Sequence, residues 1–288
     1  MSDFQNPLTL YVAGILANLI FLGSLYLWIR RWPNRESIRQ VPDLQPWSES
    51  WLDLGIVIWF AFVVLVALSL GGRQIVLSNP DLQLNSGPNH EVTWLAILLG
   101  MSIQLAFVIT LFGAKYYYRI RYFTPTRLFP SSTRPVLAGA EMLIRYMPVL
   151  WIVAFVSSWL LKKYDFSSGQ QETITMMTSM ANPWKYLVCV FVAVVLAPVL
   201  EELFFRGIVF RFLQGKMSTM LALVISSALF AMLHFNLDSL LPIFVLGCLL
   251  GSVYRRTGDI RASIWMHVFF NGFSIFLISV DKWLPTSF

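Results

Sequence analysis

Long apolar runs dominate the sequence and restrict the folds open to it. A helix that crosses a bilayer needs about 20 mostly apolar residues. Eight runs approach or reach that length, and they predict helices at residues 8–28, 54–71, 92–114, 146–161, 184–200, 219–234, 240–254 and 262–280. The sixth and seventh runs are short, at about 15 residues each. The first run is long and lacks a basic lead-in, so we interpret it as a retained span and not as a signal peptide.

The composition agrees with a chain that folds in lipid. Of the 288 residues, 57% are apolar and only 12% are charged, whereas about a quarter of a soluble domain is charged. These values exclude a disordered chain, a coiled coil and an ordinary cytosolic enzyme. The predicted fold is therefore all-α: a polytopic integral membrane protein with about eight transmembrane helices and the lipid bilayer as its surroundings.

The basic residues lie between the apolar runs. Most of the 21 Lys and Arg residues follow the first, third, fifth and seventh runs. The positive-inside rule then predicts that these loops face the cytosol and that both termini lie outside it. The longest of them, at 115–145, is interpreted either as a solvated connector or as an interfacial segment. No nucleic-acid-binding motif accompanies the net charge of +6, so nucleic acid is not an expected partner.

Two adjacent carboxylates interrupt the apolar pattern late in the chain, and an ionisable residue inside a membrane is a functional hypothesis by default. Glu202 and Arg206 are one helical turn apart and can pair. Glu201 points about 100° away from that pair, which makes it the carboxylate available for chemistry. The apolar pattern resumes afterwards and predicts one helix from Trp184 to Gln214. The alternative is a span that ends at Leu200 and leaves both carboxylates among the headgroups.

Two histidines and an asparagine lie in the apolar runs that follow. His234 ends the sixth run, one turn after Phe230, and His267 and Asn271 are one turn apart in the eighth. Alone, each also fits a packing role or a polar contact between helices. Their depth favours a shared site. At 1.5 Å per residue, Glu201 and His234 lie roughly 20 Å and 22 Å from a cytosolic turn on adjacent antiparallel helices.

These polar residues can line one intramembrane cavity that opens to the cytosol. The short sixth and seventh runs are expected to form a hairpin that turns within the membrane near Asn236 and Asp238. A carboxylate beside a neutral histidine can hold and deprotonate a water molecule. A second histidine and an asparagine amide can donate hydrogen bonds to a developing oxyanion. Such a set hydrolyses a bond without a Ser or Cys nucleophile.

Three motifs in order carry a family resemblance. Glu-Glu-x-x-x-Arg, Phe-x-x-x-His and His-x-x-x-Asn resemble the CPBP family of CAAX-processing and bacteriocin-processing (Abi) intramembrane proteases. The resemblance covers about residues 184–275 and extends to the glycine-containing stretch 246–251 and to residues 256–260. It indicates a catalytic core at 181–280. The helices of 1–180 are expected to complete the bundle, and the alternative is that they form a substrate gate.

The resemblance implies an eight-helix fold with a cytosol-facing cavity and an intramembrane endopeptidase. Its substrate would be a membrane peptide or lipidated protein, in one branch of the family a prenylated CAAX protein. The implied catalytic residues are a water-activating pair, an oxyanion-binding pair and an ion pair that holds the site together: Glu201 and His234, His267 and Asn271, Glu202 and Arg206. No cofactor is expected. These side chains can in principle bind zinc, but HExxH is absent and a glutamate-type mechanism is favoured.

Two other functions fit the same residues. One is a non-catalytic membrane scaffold or bacteriocin-immunity protein that binds a partner through the cavity. The other is a small-solute transporter in which the intramembrane charges relay protons. The intact motifs count against the scaffold, and the absence of an inverted repeat counts against the transporter.

Overall fold

The structure, a computed structural model, describes residues 7–30, 44, 46–78, 101–119, 135–166, 177 and 180–283. Every regular element in these residues is a helix, which confirms the predicted all-α class. We number the helices α1 to α8 in chain order: Pro7–Arg30, Trp51–Ser78, Ser102–Tyr118, Pro135–Lys163, Pro183–Gln214, Thr219–Met232, Leu237–Thr257 and Ile260–Trp283.

Six of these helices are long and apolar enough to cross a membrane, by length and composition: α1, α2, α4, α5, α7 and α8. This finding supports an integral, multi-pass membrane protein. At 14 residues, α6 is shorter, and the start of the predicted third span lies outside the described residues. The number of eight crossings and the cytosolic orientation therefore stay predictions.

The fourth helix begins earlier than predicted. α4 starts at Pro135, so residues 135–145 are helical and not part of a basic loop, whereas residues 120–134 of that loop lie outside the described part. Pro135 is suited to a first helical position because its missing N–H needs no partner there. Arg145 belongs to the predicted loop at 115–145, but in the structure its Nη2 lies 2.8 Å from Oε1 of Glu141, one helical turn earlier. That pairing lets the helix continue through an arginine.

The seventh helix is also longer than predicted. α7 has 21 residues and is apolar enough to span a membrane, so the prediction of a short helix at 240–254 is wrong. Its ends are capped by local chemistry. The side chain of Asn236 accepts a hydrogen bond from the backbone N–H of Ser239, and Gly258 ends the helix with φ 67°. An acceptor at the start and a left-handed glycine at the end satisfy terminal backbone groups that hydropathy alone does not register.

The chain forms two compact units that interleave along the sequence. The first unit contains α1, α4, α7, α8 and the part of α6 from Leu223 onward, whereas the second contains α2, α3 and α5. In the first unit α4 packs against α1, α7 and α8. In the second, α3 packs against α2 and against the middle of α5, where the ring centroids of Phe107 and Phe204 are 5.0 Å apart.

A glycine sets the close approach of α4 and α8 in the first unit. A Cβ atom on Gly139 would lie 2.7 Å from the carbonyl oxygen of Ala262 and 2.7 Å from the backbone nitrogen of Met266. Both atoms belong to backbone, which cannot rotate away as a side chain can. Small residues permit this kind of contact between membrane helices, and here the contact adjoins His267.

We expect Gly139→Ala to lower the free energy of unfolding by about 1–3 kcal/mol, because the added methyl group forces the two helices apart. Thermal melting of the purified protein in detergent measures the effect. The matched control is Gly14→Ala in α1, where nothing lies within 4 Å of the added Cβ. Equal melting temperatures for the two variants would contradict the close packing of α4 on α8.

Candidate active site

Helix α5 carries the two adjacent carboxylates near its middle. It runs unbroken over 32 residues, which confirms the predicted helix of Trp184–Gln214 to within one residue and shows that the helix does not end at Leu200. Asn182 caps its start by accepting hydrogen bonds from the backbone N–H groups of Trp184 and Lys185. The carboxylates thus lie well inside a helix of membrane length.

Two π-helical segments flank the carboxylates in α5. The first is Val192–Leu196 and the second is Phe205–Phe210. Pro198 accounts for the first, because a proline removes one backbone donor and its ring crowds the carbonyl four residues earlier. The N–H of Ala197 bonds the carbonyl of Val192, five residues back. Such widened turns occur frequently at functional sites and rotate the side chains that follow.

The predicted ion pair is present inside this helix. Nη1 of Arg206 donates to Oε1 of Glu202 at 2.9 Å, and the two side chains are 2% and 0% exposed. A charge at such a position is strongly disfavoured unless an opposite charge and hydrogen bonds compensate it. Glu202 and Arg206 therefore compensate each other. Glu201, the neighbouring residue, is only half-buried and points in a different direction.

His234 lies at the turn that follows α6. The backbone N–H of His234 bonds the carbonyl of Ala231, and Nδ1 of its ring lies 3.0 Å from the carbonyl oxygen of Phe230. A carbonyl oxygen can only accept, so Nδ1 carries the hydrogen and donates it. The other ring nitrogen, Nε2, then has a lone pair in the neutral side chain and can accept a proton. The end of α6 thus selects the tautomer of His234.

The ring of Phe230 contacts both histidines. Its centroid lies 5.0 Å from that of His234 and 5.6 Å from that of His267, with edge-to-face angles of 68° and 81°. Phe230 and His267 are both buried. Edge-to-face contacts of this kind restrict the orientation of both rings. The sequence motif placed Phe230 only one turn from His234, so its contact with His267 is a finding of the structure.

Glycine allows α7 to approach α6 beside this aromatic cluster. A Cβ atom on Gly247 would lie 3.0 Å from Cβ of Ser227 and 3.3 Å from a ring carbon of Phe230. Helix α8 is tied to α7 by the hydroxyl of Ser263, which donates to the carbonyl of Leu250 at 3.0 Å. The bond of Ser263 holds α8 against α7 one turn before His267. The glycine-containing stretch 246–251 was identified from the sequence as a family feature, but the close approach that Gly247 permits was not predicted.

The six predicted residues fall into two groups. Glu201, Glu202 and Arg206 belong to the second unit, whereas His234, His267 and Asn271 belong to the first. In the first group, Glu202 and Arg206 are bonded. In the second, Phe230 contacts both histidines, and half-buried Asn271 lies one turn beyond His267 on α8. A single cavity that contains all six side chains stays a prediction.

Neither unit gathers the ligands of a metal ion among its described residues. No three His, Cys, Asp or Glu side chains come close enough within either unit to share one.

We expect Glu202→Gln to destabilise the protein by about 3–5 kcal/mol, because it leaves the buried charge of Arg206 without a counter-charge. The control is Glu141→Gln in α4. Glu141 forms an equally spaced pair with Arg145 at 2.8 Å, but their side chains are 26% and 12% exposed, so we expect a smaller loss. Chemical denaturation in mixed micelles measures both. Similar losses would mean that burial does not distinguish the two pairs.

Comparison with known proteins identifies the segment that carries these residues. Residues 183–273 match the family model described as Type II CAAX prenyl endopeptidase Rce1-like. The chain is 33% identical over 88 residues to the Bacillus subtilis (strain 168) protein named "Putative membrane peptidase YdiL". This match covers 31% of the chain and about a third, 36%, of the relative's length. No solved structure matches the chain. The predicted family resemblance is thus confirmed for residues 183–273, an Rce1-like segment that contains all six candidate catalytic residues.

Proposed function

We propose that this protein is an intramembrane endopeptidase that hydrolyses a peptide bond of a membrane-associated substrate. The observation that carries the proposal is the ion pair of Glu202 and Arg206, buried in a membrane-length helix of the Rce1-like segment. This pair engages the carboxylate of Glu202, whereas Glu201 lies about 100° away around the helix and is only half-buried. A half-buried carboxylate beside a buried, neutralised one is suited to acid–base chemistry.

Water activation is assigned to Glu201 and His234. The Nδ1 donation of His234 to the carbonyl of Phe230 supports this role, because it leaves Nε2 able to accept a proton. Between them, the two side chains remove a proton from water. The hydroxide forms a bond to the carbonyl carbon of the peptide, and the proton passes to the leaving nitrogen as the C–N bond breaks. Atoms and charge balance without a covalent enzyme intermediate.

Stabilisation of the oxyanion is assigned to His267 and Asn271. They lie one turn apart on α8, and the amide of Asn271 is a neutral donor that keeps its hydrogens over the whole working pH range. His267 is buried and its ring is oriented by Phe230. Donors that are fixed before the reaction stabilise the developing negative charge without reorganising. Asn271 and His267 therefore act on the transition state more than on substrate binding.

The substrate is assigned to the class of peptides or proteins held at the membrane by a lipid, of which a prenylated CAAX-like C-terminus is the example. The description of the matching family supports this assignment. The reaction is assigned to the glutamate type, without a metal ion, and the site is assigned to the cytosolic side of the membrane. A carboxylate, two histidines and an amide suffice for the chemistry just given.

We expect Glu201→Gln to lower kcat by about 10²–10⁴, because the amide is isosteric with the carboxylate but cannot accept the proton of water. The assay is cleavage of a fluorescent prenylated peptide by the purified protein in nanodiscs. Glu141→Gln removes a carboxylate on another helix and is expected to retain full activity. Wild-type cleavage by Glu201→Gln would remove this carboxylate from the mechanism.

The same assay tests the metal and the lipid group. Wild-type cleavage that persists with a zinc chelator is the expected result, and loss of cleavage that added zinc restores would assign the histidines to a metal site instead. A non-prenylated peptide of identical sequence is expected to be cleaved less efficiently. Equal cleavage of both peptides would leave the endopeptidase in place but remove the prenyl requirement.

We expect Asn271→Ala to lower kcat by about 10²–10³ with little change in KM, as for the loss of one oxyanion donor. The matched control is Ser274→Ala on the same helix, whose hydroxyl donates to the carbonyl of Phe270 within α8. That variant is expected to keep wild-type kinetics. An increase in KM at unchanged kcat for Asn271→Ala would assign the amide to substrate binding.

A further inference from the structure

The C-terminal end of α3 forms an open groove in the second unit, remote in sequence from the Rce1-like segment. The groove has a volume of about 690 Å³, and the described residues that line it are three aromatic and two basic ones: Phe112, Lys115, Tyr116, Tyr117 and Arg119. The distribution of Lys and Arg predicts that this end of α3 faces the cytosol. The groove therefore lies at the level expected for the lipid headgroups of the inner leaflet.

Within the described part of the chain, the two cations of the groove have no acidic partner. Lys115 and Arg119 are four residues apart, and neither forms an ion pair with an Asp or Glu side chain among the described residues. Both are exposed. Two like charges at this spacing repel each other. An anion bound between them would remove that repulsion and gain two charge-assisted contacts.

Arg119 occupies a backbone conformation that favours glycine. It ends α3 with φ 53° and ψ 33°, in the left-handed region. Helices commonly end with a glycine in this conformation, because any Cβ atom is strained there. The attraction of a cation to the helix C-terminus accounts for a basic residue in the last turn, where Lys115 already lies. It does not require a second basic residue at the strained position, so Arg119 indicates a function for its side chain.

The aromatic residues of the groove indicate that the anion belongs to a lipid. Phe112, Tyr116 and Tyr117 are 68%, 90% and 77% exposed. Aromatic side chains at the membrane–water interface pack against the upper acyl chains and the glycerol region. A free phosphate ion would satisfy the two cations but would make no contact with these rings. A phospholipid satisfies both parts of the groove.

We propose that this groove is a binding site for an anionic phospholipid, whose phosphate contacts Lys115 and Arg119 and whose glycerol and acyl region contacts the aromatic residues. The site does not depend on the proposed peptidase activity. It tethers α3, which packs on the carboxylate-bearing part of α5, to the anionic surface of the membrane.

The test measures lipid retention by native mass spectrometry. Protein is released from nanodiscs that contain equal parts of phosphatidylglycerol and phosphatidylcholine, and bound lipids are counted. Wild type is expected to retain phosphatidylglycerol preferentially. Removal of each cation, in Lys115→Gln and Arg119→Gln, is expected to weaken retention about fivefold, and the double variant roughly 25-fold. Retention of both lipids in equal amounts by wild type, or no loss in the double variant, would overturn the proposal.

Two controls separate the site from general effects of charge and folding. Lys163→Gln removes a cation that contacts the rings of Trp159 and Tyr164 at the end of α4, and it is expected to leave retention unchanged. Arg119→Gly is expected to melt at or above the wild-type temperature in detergent, because glycine relieves the backbone, and yet to lose phosphatidylglycerol. Wild-type retention by Arg119→Gly would overturn the proposal. Displacement of the lipid by inorganic phosphate at equal concentration would assign the groove to a free anion instead.

Discussion

The ion pair of Glu202 and Arg206 solves the main physical problem of this chain, which is to keep ionisable groups inside an apolar helix. Either charge alone would be uncompensated at 0–2% exposure, whereas the pair at 2.9 Å is mutually neutralised. Because the two residues are one turn apart, a single helix supplies both partners of the pair. The position of Glu201 then follows from covalent geometry, as its neighbour is held in place.

The same helix has a distorted backbone on both sides of the two carboxylates. Pro198 cannot be accommodated in a regular helix, and the widened turn at Val192–Leu196 accepts it at the cost of regular hydrogen bonding. A second widened turn contains Arg206 itself. Residues 197–204 are therefore a short regular segment whose rotation is set by irregular turns on both sides. Small changes in either turn would redirect both carboxylates, so we regard the distortions as part of the site.

The polar residues of the site could be predicted from the sequence because they violate the pattern around them. Glu202, Arg206, His267 and Asn271 stand out in apolar runs, and the i,i+4 rule predicted the pair that the structure contains. The helix ends could not be predicted in this way. Hydropathy treats Arg145 as a loop residue, although Glu141 neutralises it within α4. The true ends of α7 depend on the cap of Asn236 and the left-handed Gly258, which carry no hydropathy signal.

The contacts of the apolar residues around the site could not be predicted for a different reason, although the motifs include Phe230 and the stretch that contains Gly247. Phe230, Gly139 and Gly247 are ordinary residues for membrane helices, and their roles arise only from what lies opposite each of them. The histidines illustrate the consequence. An isolated imidazole has two tautomers and rotates freely. The tautomer of His234 is fixed by the carbonyl of Phe230, and the ring of Phe230 restricts the orientation of both His234 and His267. Phe230 in turn is held where Gly247 permits α7 to approach. The geometry of the two histidines in the first unit therefore depends on Phe230 and Gly247 as well as on the histidines themselves.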